Sequence, residues 1–419
     1  MIESPSSPLP SLRTSAIDIA QVAADGQRLF CLRDRLDPRS SPLVVSEPAL
    51  LLASLLDGRR TVGAVRAAFL LRTGVGLPEG EIAAFVERLD QAGLLDSERL
   101  QRDLEAQRQA FLELEERPAI HAGSAYPAEP AELKRFLDDL YAANDVLGSF
   151  PSPANARVAR GLIAPHIDLH RGGPTYAGTY KALAECEPAD AYILLGTCHT
   201  PMQTPLAATR KPYATPLGTA PVDLELLSAL EAAYPGDLYA DEFSHRGEHS
   251  LEFQALNLRY LERIGESQGR GIVPLLCGSL NEWGSPDVGP LAVSQVAQTV
   301  TALRRVVADC GRRVCVVAGA DLAHVGPQFG DSGPITPSQL ERVGRDDAEM
   351  LEVICGGDAE GFYRQVMRDG DARRICGLSP IYYLLAALGG GEGRMLKYTQ
   401  WADPGGFGSV TVAGIIFEA

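Results

Sequence analysis

Four short strings in this chain place metal-type donors at or just past the ends of apolar runs. They are "APHIDLH" at 164–170, "LLGTCH" at 194–199, "AGADLAH" at 318–324 and "RICGLSP" at 374–380. In an open α/β sheet the carboxyl ends of the strands meet in one crevice, so residues two hundred positions apart converge there. The expectation is a mononuclear metal site built from His166, His199 and Cys376, with Asp321 and His324 beside it. Two imidazoles and a thiolate suit iron(II), zinc or copper far better than magnesium or calcium. Iron(II) is the expected cofactor, replaceable by zinc or copper.

Asp321 and His324 are three apart, and a helix or turn would put both on one side. The carboxylate would then hold the tautomer of the imidazole, which would face the metal or act as a base. The plainer alternative is an Asp capping a helix after a strand. His245 and His249 flank "RGE", and both, with Glu248, are candidates for lining a substrate pocket, although Ser250 also looks like the N-cap of the helix that follows. His121 reads as a structural anchor, and His170 as pocket edge or solvent-exposed.

These donors need an α/β frame. Apolar, β-branched strings at 161–164, 191–196, 271–276, 313–319 and 409–417 read as buried strands, with amphipathic helical stretches at 130–143, 223–234, 250–264, 290–307 and 338–355. That alternation predicts an α/β fold with a mixed or largely parallel central sheet flanked by helices, over residues 118–419. Upstream, residues 1–24 read as a disordered Ser/Pro-rich tail. Residues 25–97 read as a small winged-helix-like α+β domain: short apolar runs that pair as a ribbon, then three helices, with Gly58 ending the first and Thr61 capping the second. Residues 98–117, charged and nearly free of Gly and Pro, read as a helical linker ending before Pro118.

The bulk numbers bound the function. At 419 residues two domains are the natural prior, and a net charge of −16 argues against a nucleic-acid surface. No run approaches the roughly 18 apolar residues of a membrane span, and the N-terminus lacks a signal-peptide pattern. Eight cysteines without CxxC pairs argue for reduced thiols and a cytoplasmic location.

The ordered set "HAGSAYP" (121–127), "APH" followed by a Gly/Tyr-containing turn (Gly173, Tyr176, Gly178), "GTCH", "YATPLGTAPVD", "EHSLEFQ", "VPLLCG", "ADLAHVG", "CGLSPI" and "GFGSVTVAG" resembles the Memo family nearly end to end over 118–419. Its prokaryotic members resemble system protein B of the AmmeMemoRadiSam set, and the family is related in fold to class III extradiol dioxygenases. The resemblance implies that His166 binds the metal and that His324, supported by Asp321, is catalytic or metal-facing. It also implies a radical SAM protein and an AMMECR1-type protein as partners. The chain departs from many members at Leu378 and Ser379, after "CG", and at Thr200, after "GTCH". In the first domain, Leu55, Leu56, Asp57, Gly58, Arg59 and Thr61, with Val86, Leu89, Gly93 and Leu94-Leu95, resemble the PqqD-like peptide-recognition domain, which implies a bound peptide.

Three functions compete. One is a metal-binding component of a radical-SAM-associated modification system. Another is a non-haem iron-dependent, dioxygenase-like redox enzyme on a small organic substrate, although a thiolate in place of a carboxylate disfavours catechol ring cleavage. The last is a metal-free peptide-binding scaffold.

Overall fold

The computed structural model describes residues 7–14, 17–24, 27–34, 41–142, 157–264, 269–283 and 288–419. It divides into two compact units, which meet between Glu113 and Leu114.

The first unit runs β1 (Ser11–Leu12), β2 (Ile17–Ala24), β3 (Gln27–Asp34), β4 (Leu43–Ser46), α1 (Glu47–Ser54), α2 (Val62–Thr73), α3 (Glu79–Gln91), β5 (Leu95–Asp96) and α4 (Glu98–Leu112). Strands β2, β3 and β4 form an antiparallel sheet, and β1 pairs with β5. Leu32, Val45, Leu52, Val65, Phe69, Ile82 and Leu89 fill the core. Thr61 caps α2 by accepting from the Ala64 N–H, and Gly74 closes it in the left-handed region (φ 71), as helix-end chemistry requires.

Two expectations need correction. The tail expected over 1–24 is structured from Ser7 onward where described: Leu9 and Ile17 are buried, and β2 pairs with β3 along its whole length. Proline and serine disfavour helix, but they leave extended chain free to pair. Residues 1–6 and 15–16 lie outside the described residues. The linker expected over 98–117 is divided: its helical part ends at Leu112 and belongs to the first unit, and residues 114–117 belong to the second. Ser97 caps it, Leu100 and Phe111 are buried, and Arg99 pairs with Asp90 of α3.

The second unit contains α5 (Pro130–Ala142), β6 (Ala159–Ala164), α6 (Leu169–Ala184), β7 (Ala191–Thr197), β8 (Leu206–Ala208), α7 (Leu224–Ala233), α8 (Glu252–Ile264), β9 (Gly271–Cys277) and α9 (Leu280–Trp283). It continues through α10 (Ser294–Asp309), β10 (Val314–Gly319), β11 (His324–Val325), α11 (Pro337–Cys355), α12 (Ala359–Met367), α13 (Leu378–Leu388), β12 (Gly393–Ala402) and β13 (Ser409–Glu418). The sheet order is β11-β13-β6-β10-β7-β9-β8, with β12 paired to β13. The inner strands β6, β10, β7 and β9 are parallel, and β13 and β8 join them antiparallel. Continuous apolar strands are what a parallel sheet covered on both faces demands. Side chains of α7 and α10–α13 cover one face, and those of α5, α6 and α8 the other. The expected mixed sheet is therefore present. Among the described residues no helix is long and apolar enough to cross a membrane.

The Gly/Tyr stretch after "APH" is helix α6 rather than a turn. Asp168 caps it by accepting from the His170 and Arg171 N–H groups, and its glycines serve close packing. A Cβ on Gly172 would lie 2.6 Å from Cγ2 of buried, β-branched Ile167 and 3.2 Å from the buried Tyr176 ring. Gly172→Ala should therefore destabilise the protein by about 1–3 kcal/mol despite alanine's better helix propensity. Chemical denaturation checks this; an alanine variant as stable as the parent, or more so, contradicts it.

Candidate metal centre

Three parallel strands deliver donors at one end of the sheet. Strand β6 runs out through Pro165 into His166, β7 through Cys198 into His199, and β10 through Ala320 into Asp321. Cys376 lies just before α13, and its carbonyl accepts a 3.0 Å hydrogen bond from the Thr197 hydroxyl at the end of β7. Gly377 does not make a left-handed turn (φ −75). It is needed for close approach, because a Cβ there would sit 2.4 Å from the Asp321 carbonyl oxygen.

His166, 2% exposed, is the hub. Its Nδ1 lies 2.9 Å from the Gly319 carbonyl oxygen, which only an N–H can satisfy, so the Nε2 lone pair points into the site. Nε2 is 3.2 Å from Cys376 Sγ and 3.7 Å from an Asp321 oxygen. Two donor triads close among the described residues, His166–His199–His249 and His166–Asp321–Cys376, each with its ligand atoms within 4.8 Å of one another. The expected trio of His166, His199 and Cys376 is thus divided between the two, joined at His166.

Glu248 organises the imidazole side. Its buried carboxylate accepts from the N–H groups of His199 (2.9 Å), His249 (2.8 Å) and Ser250 (3.0 Å). It also lies 3.0 Å from His199 Nδ1 and 3.2 Å from His249 Nδ1. Burial works to raise its pKa, but the two imidazoles and these donors overcome that and hold it well below the usual carboxylate range. A carboxylate on Nδ1 leaves Nε2 as the metal-facing nitrogen. The His199 and His249 rings stack at 4.9 Å, and His166 meets each edge-on. On the sulfur side, burial and then Asp321 push the Cys376 thiol well above its ordinary pKa, so an ion would bind there by displacing a proton.

Asp321 acts on His324 through its charge, but its hydrogen bonds go elsewhere. One of its oxygens accepts from the His166 and Ile167 N–H groups, at 2.8 and 3.1 Å. His324 sits on β11 with its Nδ1 near the carbonyl oxygens of Leu322 (3.0 Å) and Arg374 (3.2 Å), and its ring rests edge-on against Phe329. The reason is backbone: residues 320–323 are not helical, and bonds from Leu322 and to Ala323 tie them to Thr411 of β13.

His245 does not line the pocket either. It is fully buried; its Nε2 donates to the Ala207 carbonyl (3.0 Å) and its Nδ1 accepts from the Tyr213 hydroxyl (2.7 Å). Burial pushes its pKa down to about 3. The unfolded chain takes up this proton below pH about 6.5, whereas the folded protein does not until near pH 3. Stability from this group is therefore complete above pH about 6.5 and falls by about 1.4 kcal/mol per pH unit as the pH drops toward 3. His245→Gln should lose stability less steeply than the parent between pH 6 and pH 4. Parallel slopes in denaturant titrations contradict this.

His121 anchors structure as expected: its N–H donates to Glu252, and its ring packs edge-on to His249 and Phe253. His170 is exposed, against Phe136. A chamber of about 220 Å³ opens beside the donors, lined by His199, Cys376, Asn281, Asp371 and Arg374 among others. Asp371 (φ 57) and Arg374 (φ 52) hold left-handed backbone there without being glycine, a strain that clusters at functional sites.

The molecule is thus an α/β protein with a histidine-, cysteine- and carboxylate-lined candidate metal centre at the carboxyl ends of its parallel strands. A family model described as Memo-like protein matches residues 117–414. A MEMO1 family protein of Aquifex aeolicus is 29% identical over 391 residues, covering 93% of this chain and 96% of that protein. One from Thermus thermophilus is 30% identical over 339 residues (81% and 93%), and one from Methanosarcina mazei 28% identical over 307 residues (72% and 98%). The chain belongs to the Memo family.

Proposed function

We propose that this protein holds one iron(II) ion at the centre around His166 and serves as the metal-binding component of a radical-SAM-associated modification system. The reading is carried by the gathering of two donor triads on a single imidazole, His166, whose Nδ1 is already bonded to backbone. His166, His199, His249, Asp321 and Cys376 are the residues that would hold the ion, and their nitrogen, oxygen and sulfur donors fit iron, zinc or copper. Iron held by such a set supplies a redox-capable Lewis acid. The chain's own groups do the positioning: Glu248 orients two imidazoles, Gly319 the third, and Asp321 pins the backbone at His166. His324, on the neighbouring β11, is a proton-handling group at the rim.

The partners proposed are a radical SAM protein and an AMMECR1-type protein, with a peptide adding as a further strand to the β2–β3–β4 sheet, whose two edge strands β2 and β4 carry Ile19 and Val44, each about half exposed. The negative charge of the chain suits a basic partner. The chamber beside His199 and Cys376 favours a second reading, a redox enzyme acting on a small organic molecule within this site.

Cobalt(II)-loaded protein tests the site. Cys376→Ser should remove thiolate-to-metal charge-transfer absorption and weaken binding strongly, since the thiolate charge is lost. An unchanged spectrum removes Cys376 from the ligand set. Pull-down of the radical SAM and AMMECR1-type proteins with loaded and chelator-stripped protein tests the partners; capture of neither contradicts that part.

A further inference from the structure

Arg117 lies close to the start of the second unit, beside Pro118, and nothing in its sequence surroundings marks it as part of a site. Both it and Glu252 are wholly buried, and they form an ion pair. A guanidinium with no access to water must have its donors satisfied, and those of Arg117 point at one turn. Its Nε donates to the His245 carbonyl (3.0 Å) and its Nη2 to the Glu248 carbonyl (2.7 Å), while Nη1 reaches the Pro118 carbonyl (2.7 Å) as well as Glu252. The guanidinium also lies over the Tyr213 ring, 4.9 Å from its centroid. Glu252 is fixed in turn by the His121 N–H (3.1 Å) and the Tyr126 hydroxyl.

The two carbonyls gripped by Nε and Nη2 bracket residues 245–248, the turn that presents the Glu248 side chain. That carboxylate is hydrogen-bonded to His199 Nδ1 and lies 3.2 Å from His249 Nδ1. We propose that Arg117 is a positioning residue for the imidazole side of the metal centre, acting through the 245–248 turn and the Glu248 carboxylate. This rests on the metal reading above for its consequence, though not for its geometry. A rigid planar fork can hold two carbonyls and a carboxylate at once; a lysine ammonium, as a point charge on a flexible stem, cannot hold the same arrangement.

Two full-length variants test it. Arg117→Lys keeps the charge for Glu252 and loses the fork. The double variant Arg117→Met with Glu252→Gln removes both charges together, leaving no unpaired ion in the interior, and so remains foldable if the single variant does not. Each should bind cobalt(II) about 10–100-fold more weakly than the parent, the range for loss of an outer-shell group, with an altered ligand-field spectrum. Ring nitrogen NMR of the metal-free protein should show His199 and His249 protonated at Nδ1 in the parent and as mixed tautomers in the variants. A folded variant with parental affinity, spectrum and tautomers overturns the proposal even if its melting temperature falls. If the parent binds no cobalt(II), zinc or iron, the metal reading fails, and the tautomer measurement still decides the role of Arg117.

Discussion

His166→Ala should abolish ion binding in a protein that still folds. Both donor triads pass through this one imidazole, so its loss leaves two donors on each side and no closed set. His249→Ala and Cys376→Ser each open only one triad, and each should bind more tightly than His166→Ala. The fall for His166→Ala should exceed the roughly 10–100-fold that removal of a supporting group costs. The fold should persist because the backbone there is pinned independently of the ring: Asp321 accepts from the N–H groups of residues 166 and 167, and the one backbone partner that loss of the ring leaves is the Gly319 carbonyl. Competition with a chromophoric chelator measures the affinity, and circular dichroism the fold. Retention of affinity within tenfold of the parent contradicts the shared-hub arrangement.

Glu248→Gln should weaken ion binding by about 10–100-fold and cost about 1–3 kcal/mol of stability. The carboxylate faces only donors: three backbone N–H groups and two imidazole edges. An amide of the same shape turns one acceptor into a donor, so at least one buried N–H or ring nitrogen loses its partner. His199 and His249 would then be free to present either nitrogen. Calorimetric titration with zinc and thermal unfolding report the two effects separately. Stability loss with unchanged affinity would make Glu248 a structural group alone.

Much of this was legible in the sequence. The parallel strands announced themselves as apolar runs, and His166, His199 and Asp321 follow three of them directly. What the sequence concealed has physical causes. Every residue of α13 is buried, so it has no polar face and no helical period to read. The histidine of "EHS" looks the same whether it serves a helix start capped by Ser250 or faces a metal; the stacking of His249 on His199 separates the two. His245 is chemically as capable as its neighbours, and its engagement with Tyr213 and Ala207 depends on contacts more than thirty residues away. A helix or turn would bond Asp321 to His324, but extended chain tied to β13 gives the two side chains different hydrogen-bond partners. Arg117 was read as linker because its partners lie 128–135 positions downstream.

The most direct test of the metal centre is elemental analysis of the full-length protein purified without oxygen, paired with the His166→Ala variant. The parent is expected to carry about one iron per chain, exchangeable for zinc or copper, and the variant none. A parent protein that carries no metal and shows no micromolar affinity for iron(II), zinc or copper contradicts this.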